Sequence, residues 1–334
     1  MNTYQPAPKP LLTIMGPTAS GKTQLSLVLA EQFQGEIISA DSRQVYFGMN
    51  IGTDKIVSRG KIASSPLEPI EYNSMPHYLI DTITPNQPYS AADFVNDATK
   101  VIAKIHENNH LPIVIGGTGF YIRALTEKKN FASVPPDFVF REWANKQPVE
   151  NLANDLLQKD PILAERIDLK NPRRVIRALE IANYASSLRG RPQASRSNLP
   201  SSASAGAIHE FPLHETALPP TPDFNILKIA IHRQPENLRD LITQRVDKQL
   251  ELGLVEEIRT LIKQYGEQAP GLQAIAYREL FPFLRGEESL EAGRQKVINA
   301  NWQYSRRQLT WLKKEPNIVW IENEEEAIEL VKSW

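Results

Sequence analysis

A chain of 334 residues, 41% hydrophobic and 23% charged, is long enough for two domains and has the composition of an ordinary soluble protein. A formal net charge of −1 excludes a generally basic, nucleic-acid-coating protein, so any such contact must come from local patches. The absence of cysteine excludes disulfides, thiolate zinc sites and cysteine nucleophiles, and no apolar stretch approaches the length of a membrane span.

The first ten residues, MNTYQPAPKP, are polar and proline-rich and lack the apolar core of a secretory signal, so a cytoplasmic protein is expected. An apolar run over residues 11–15 predicts a strand, and QLSLVLA over 24–30 predicts a helix. Between them stands GPTASGKT: Gly16, Pro17, Thr18, Ala19, Ser20, Gly21, Lys22 and Thr23. Strand, glycine loop and helix in that order are the setting of a phosphate-binding loop, in which backbone N–H groups and the positive helix end face an anion. Lys22 would reach the terminal phosphates, and the Thr23 hydroxyl would ligate Mg2+. The pattern predicts a grip on a pyrophosphate and leaves open what is done with it.

Residues 36–40 predict a second strand, whose carboxyl end delivers Asp41, Ser42, Arg43 and Gln44 to the side where α/β proteins bind ligands. HYLID, residues 77–81, reads as another strand. Ser90 with Asp93 predicts a capped helix start, continued by Phe94, Ala98, Ile102 and Ile105 at helical spacing. Residues 111–115 predict a strand, broken by Gly116, Gly117, Thr118 and Gly119, with a helix from Phe120. Strands alternating with helices predict an α/β fold with a doubly wound parallel sheet of the P-loop NTPase kind.

From about Pro135 the pattern turns to helices alone, and Asn171 with Pro172 caps the helix carrying Arg173, Arg174 and Arg177. Residues 186–222 are rich in Ser, Pro and Ala without periodicity and predict a long loop. Residues 226–231 predict a strand returning to the sheet, 238–262 an amphipathic helix pair turning near Gly253, and 318–321 a last strand before an acidic tail. The expected division is a core over 1–134, a helical insertion domain over 135–185, a loop over 186–225, and over 226–334 the rest of the core with a helical, basic C-terminal region. Within it, residues 271–314 carry eight Lys or Arg against four Glu.

At DSRQVY (41–46), continuing through Gly48, Asn50 and Gly52, and at GGTGFY (116–121), the sequence resembles tRNA dimethylallyltransferases, the IPP transferase family. NPRRVIRALE (171–180), GLQAIAYREL (271–280) and RRQLTWL (306–312) extend the resemblance across the chain apart from the Ser/Pro-rich stretch. The resemblance implies transfer of a dimethylallyl group from dimethylallyl diphosphate to N6 of the adenosine beside the anticodon of tRNA. It implies Asp41 as general base, Thr118 near the bridging oxygen of the diphosphate and Arg245 as a pyrophosphate clamp. On residues alone, Asp41 reads equally as a helix cap or a partner of metal-bound water, Thr118 as a turn residue satisfying its own backbone, and Arg245 as a solvated helix face.

For tRNA the resemblance implies Asp41, Ser42, Arg43, Gln44 and Thr118 around the target adenine, and Arg141 in the first inserted helix. Arg173, Arg174 and Arg177 are placed to track a backbone, although a solvated charged face has the same pattern. Gln273, Tyr277, Arg278, Arg306, Arg307, Gln308 and Lys313 form the other expected tRNA surface, whose aromatics either stack on bases or belong to the core. The chain departs from the family at Ala276, Trp302, Gln303 and Leu241, none in the expected catalytic set. His77 and His110 have no second ligand at metal spacing and read as structural. A P-loop kinase, a prenyltransferase for free adenine nucleotides and a non-enzymatic nucleotide switch are the rival readings. The expected partners are tRNA and dimethylallyl diphosphate, without a membrane, in a monomer.

Overall fold

The computed structural model describes residues 8–56, 60–127, 134, 136–189 and 223–334. In chain order they form β1 (Lys9–Met15), α1 (Lys22–Gln32), β2 (Gly35–Ser39), β3 (Ile70–Tyr72), β4 (Met75–Tyr78), α2 (Ala91–Glu107), β5 (Leu111–Gly116) and α3 (Gly119–Thr126). Four helices follow, α4 (Phe138–Ala144), α5 (Val149–Lys159), α6 (Pro161–Glu165) and α7 (Pro172–Arg189). Then come β6 (Phe224–Ile231), α8 (Pro235–Glu251), α9 (Leu254–Tyr265), the short α10 (Ile275–Arg278) and α11 (Phe281–Leu284), α12 (Leu290–Leu312), β7 (Ile318–Ile321) and α13 (Glu324–Ser333). Two compact units result, one from Met1–Lys129 with Leu218–Trp334, the other from Asn130–Ala217.

The larger unit is built on a seven-stranded sheet in the order β3-β4-β2-β5-β1-β6-β7, parallel except for the β3–β4 edge hairpin. Leu12, Ile14, Ile37, Ile113 and Ile229 from its central strands are buried with Leu25 and Leu29 of α1. Truncating such a side chain to alanine costs about 2–5 kcal/mol. The carboxyl ends of β1, β2, β5 and β6 lie side by side, where the strand order reverses around β1 and such sheets open a crevice. A second core joins the helices of the carboxyl-terminal part through Leu238, Ile242, Val246, Ile258, Tyr277 and Val297. No helix of the described residues is long and apolar enough to cross a membrane.

Local chemistry sets several element ends. Ser90 accepts the Asp93 N–H while the Asp93 carboxylate accepts the Ser90 N–H, so α2 starts in a full capping box. Gly253, at φ 94°, separates α8 from α9 in a conformation that costs glycine little. The strand expected over 77–81 is shorter and earlier. The chain pairs Met75–Tyr78 with a hairpin partner the sequence pattern did not reveal, through a turn at Asn73 and Ser74, both at positive φ. Leu79 and Asp81 also have positive φ, and the chain leaves the sheet there to bury Asp81 against the Lys55 ammonium.

In the smaller unit, Leu152 and Leu156 of α5 pack on Val175 and Leu179 of α7. Asn171 Oδ1 accepts the Arg174 N–H at 3.3 Å, and Pro172 opens α7 as expected. That helix runs to Arg189, four residues into the segment expected to be a loop, because ANYASSLR still lacks a helix breaker. Residues 190–222, most of the expected Ser/Pro-rich loop, lie outside the described residues.

Candidate active site

The expected phosphate loop joins β1 to α1, with Ala19 at φ 65° and Gly21 at φ 94° turning the backbone. Lys22 donates to the Pro17 carbonyl at 2.6 Å, so its ammonium curls back over the loop. Burial lowers its pKa to about 8; Asp41 opposes the shift and the Arg245 charge adds to it. Both groups are therefore electrostatically close to the Lys22 head. The Ser20 hydroxyl is buried without a hydrogen-bond partner inside the loop. Thr23 stands half-buried in the first turn of α1, and no hydrogen bond among the described residues engages its hydroxyl. No cluster of three metal-ligating side chains occurs among the described residues, so a magnesium ion at Thr23 would draw its other ligands from phosphate and water, as this ion commonly does.

Asp41 follows β2 and heads a turn rather than a helix. Its Oδ1 accepts the Arg43 N–H at 2.8 Å, which fixes the carboxylate and turns Oδ2 away from that bond. The helix-cap reading therefore fails. Thr118 stands at the N-cap of α3 but makes no cap bond; its hydroxyl accepts the Ser42 N–H at 3.2 Å. The self-satisfied turn reading fails as well. Ser42 thus joins the ends of β2 and β5. Gln44 turns inward, accepting from Ser39 at 3.0 Å and donating to the Thr53 carbonyl at 3.3 Å, while Arg43 donates to the Pro270 carbonyl at 3.2 Å.

A cleft of about 360 Å³ borders the loop at Ala19 and is lined by Arg245 and Lys248, beside Asp54, with Ile51, Leu241 and Leu252. Cationic and apolar walls together match a short hydrocarbon diphosphate. Arg245 Nε lies 3.6 Å from the exposed Asp54 carboxylate. Residues 50–52, on the rim, are pinned by Glu257, which accepts the N–H groups of Asn50, Ile51 and Gly52 at 2.8–3.1 Å. Lys55 is buried beside them and bonds the Tyr46 carbonyl and Asp81; burial depresses its pKa and Asp81 partly restores it.

Several residues expected to face tRNA have other duties. Tyr277 is fully buried and donates to Glu257 at 2.7 Å, because α10 packs it into the helical core. Gln308 is also buried; its amide accepts the Thr18 N–H at 2.9 Å and donates to the Gly117 carbonyl at 2.8 Å. Neither side chain lies on a surface. Gln273 donates to the Glu267 carbonyl, whereas Arg278, Arg306, Arg307 and Lys313 are exposed. In the smaller unit, Glu180 is buried and holds Arg141 at 2.6 and 2.8 Å and Arg177 at 2.9 Å. Arg173 and Arg174 are exposed.

Arg233 escaped the sequence reading. It follows β6, a strand end like those bearing Asp41 and Thr118, and its Nε donates to the Ser20 carbonyl at 3.1 Å. An arginine two residues beyond a central parallel strand was the available signal. Tyr304 of α12 stands near the same strand ends: burial raises its pKa, and Asp41 adds to the rise.

A family model described as IPP transferase matches residues 44–315. The chain is 36% identical over 316 residues to the tRNA dimethylallyltransferase of Halalkalibacterium halodurans, spanning 93% of this chain and 90% of that one. It is 37% identical over 320 residues to that of Acetivibrio thermocellus, spanning 94% and 92%. The solved tRNA isopentenylpyrophosphate transferase of Bacillus halodurans shares the fold with a TM-score of 0.64 at 32% identity, over 97% of this chain and 94% of that one. A eukaryotic dimethylallyltransferase acting on tRNA shares the fold alone, with a TM-score of 0.70 at 24% identity, over 94% and 74%.

Proposed function

Because the chain belongs to the IPP transferase family, we propose that it transfers the dimethylallyl group of dimethylallyl diphosphate to N6 of the adenosine 3′ to the anticodon. The substrates are tRNAs that read codons beginning with U. One observation carries this reading: the phosphate loop, the Asp41 carboxylate and the Thr118 hydroxyl meet at the adjacent carboxyl ends of β1, β2 and β5. A kinase would use the loop to hold a phosphoryl donor. A carboxylate and a hydroxyl beside the grip suit a reaction in which the diphosphate itself departs.

The loop N–H groups, Lys22 and Arg245 hold the diphosphate, and the cleft walls Ile51, Leu241 and Leu252 take the hydrocarbon. Thr23 would hold a magnesium ion, which when bound supplies further positive charge to the leaving diphosphate. The target base has to leave the anticodon-loop stack before N6 can be reached. N6 then attacks C1 of the dimethylallyl group, and the C1–O bond breaks with its electrons going to the diphosphate. The N6 proton passes to Asp41 Oδ2, and Thr118 donates to the oxygen that gains charge. Ser42, Arg43 and Gln44 frame the base, and Arg173, Arg174, Arg278, Arg306, Arg307 and Lys313 supply cations for the tRNA backbone. All these groups come from one chain, so a monomer in the cytoplasm suffices.

The test is incubation with radiolabelled dimethylallyl diphosphate and magnesium, offering unmodified tRNA or AMP. Label in tRNA is the expected result. Label in AMP alone assigns a free-nucleotide enzyme, and ATP hydrolysis without transfer assigns a kinase.

A further inference from the structure

Three side chains of α12 at helical spacing, Tyr304, Gln308 and Trp311, share the face of that helix turned to the candidate active site. Gln308 bridges the phosphate loop and the glycine turn, accepting from Thr18 and donating to Gly117. Trp311 lies on Gly119: a Cβ placed there would come 2.6 Å from the indole. A Cβ on Gly117 would come 2.3 Å from Gln308 Nε2. Two of the glycines in the GGTG turn are thus required by the approach of α12. Tyr304 completes the row, close enough to Asp41 and Thr118 for both to act on its hydroxyl. Successive helical residues turn by about 100°, so positions 304, 308 and 311 share one stripe while Arg306 and Lys313 fall on the opposite side.

The end of this helix is anchored as well. Glu315, buried just beyond it, pairs with Arg123 of α3 at 3.1 Å and Lys228 of β6 at 2.6 Å, and the Arg123 guanidinium lies over the Trp311 ring at 5.7 Å.

Building on the transferase reading above, we propose that Tyr304, Gln308 and Trp311 form a positioning stripe that sets the phosphate loop and the Gly116–Gly119 turn at the separation the diphosphate requires. Gln308 is the centre of it. Neither loop bonds the other at these points without it: Thr18 N–H and the Gly117 carbonyl face the same amide from two sides. The same rigid helix carries the exposed Arg306, Arg307 and Lys313, so the grip on the leaving group and one set of tRNA-facing cations move as one body. Gln308 acts through Thr18 and Gly117 and touches neither substrate.

Gln308→Met keeps the side-chain length and removes both hydrogen bonds. Calorimetric titration with inorganic pyrophosphate, without tRNA, should show binding weakened about 5- to 50-fold, the range two lost hydrogen bonds allow. In the transfer assay kcat should fall by a similar factor while KM for tRNA stays within about twofold, since no base or phosphate contact is lost. A raised tRNA KM with unchanged kcat and pyrophosphate affinity would make Gln308 a tRNA contact and overturn the proposal. Unchanged values throughout would do the same. Should Gln308→Met melt far below the parent protein, Trp311→Leu, which removes the indole packed on Gly119, takes its place. It should weaken pyrophosphate binding and lower kcat together, and unaltered values for both overturn the stripe. A parent protein that binds pyrophosphate but labels no tRNA defeats the transferase reading instead, and the pyrophosphate titrations still decide the role of Gln308.

Discussion

The Ser42 N–H donates to the Thr118 hydroxyl across 3.2 Å, so the residue next to the expected base is fixed to the residue expected at the leaving group. The separation of proton acceptor and departing oxygen is thereby built into two strand ends. Asp41→Asn retains an Oδ1 for the Arg43 N–H but cannot take a proton. It should lower kcat about 100- to 10,000-fold while pyrophosphate binding changes little. Thr118→Ala should cost about 100-fold or more in kcat, and Thr118→Ser should recover most of it. Single-turnover transfer with saturating tRNA reads both. An Asp41→Asn enzyme with most of its activity intact removes Asp41 from the base role.

Lys22 supplies a pH signature. Its pKa is lowered from 10.5 to about 8 by burial, so the free protein begins to lose this charge within the assay range. An anion prefers the protonated form, so pyrophosphate affinity should be flat below about pH 7.5 and fall toward tenfold per pH unit above about 8.5. Stability has the opposite sign. The unfolded chain holds the proton more tightly between about pH 8 and 10.5, so in that window this group makes the fold more stable as pH rises. Calorimetry across pH 6.5–9.5 checks the first effect, and Lys22→Met should flatten the profile.

Much of this site was legible because its parts are local. The phosphate loop, the strand-end Asp41 and the GGTG turn each lie within one strand-to-helix transition, and parallel topology brings such ends together whatever the rest of the chain does. The α2 capping box and the Gly253 break are local in the same sense. What was missed depends on long-range pairing. Glu257 holds residues 50–52 from more than 200 positions away, and Gln308 reaches Thr18 across 290. Neither has a local pattern that separates it from a solvated helix face. The pairing of Arg141 and Arg177 with Glu180 was hidden for a related reason, since an arginine that neutralises a buried glutamate looks in sequence like one awaiting a phosphate.

Away from the site, at the amino ends of β2 and β5, Glu36 is buried. Burial alone would raise its pKa, but hydrogen bonds from Tyr78 at 2.6 Å, His110 at 2.6 Å and Asn108 outweigh it and hold the carboxyl below its ordinary value. A depressed folded pKa contributes stability above the unfolded value of 4.5, and that contribution is lost as pH falls through the folded value. Glu36→Gln should therefore cost about 1–3 kcal/mol at pH 7 and less below pH 4. Urea denaturation at the two pH values measures the difference, and equal losses would show that the carboxylate charge does not matter.

The arginines of α7 differ in their surroundings. Arg177 and Arg141 hold the buried Glu180, whose pKa burial would raise and these hydrogen bonds lower instead. Arg177→Ala should accordingly destabilise the smaller unit by about 1–2 kcal/mol. Arg173 and Arg174 are exposed on the first turn of the same helix. Reversing both to Glu should leave the melting temperature nearly unchanged, weaken tRNA binding about 10-fold or more near 0.1 M salt, and reduce the slope of log affinity against log salt by about 1–2. Filter binding over a salt series separates the two pairs. If Arg173 and Arg174 leave the slope untouched while Arg177 changes it, the tRNA backbone follows the Glu180 network and the division proposed here is reversed.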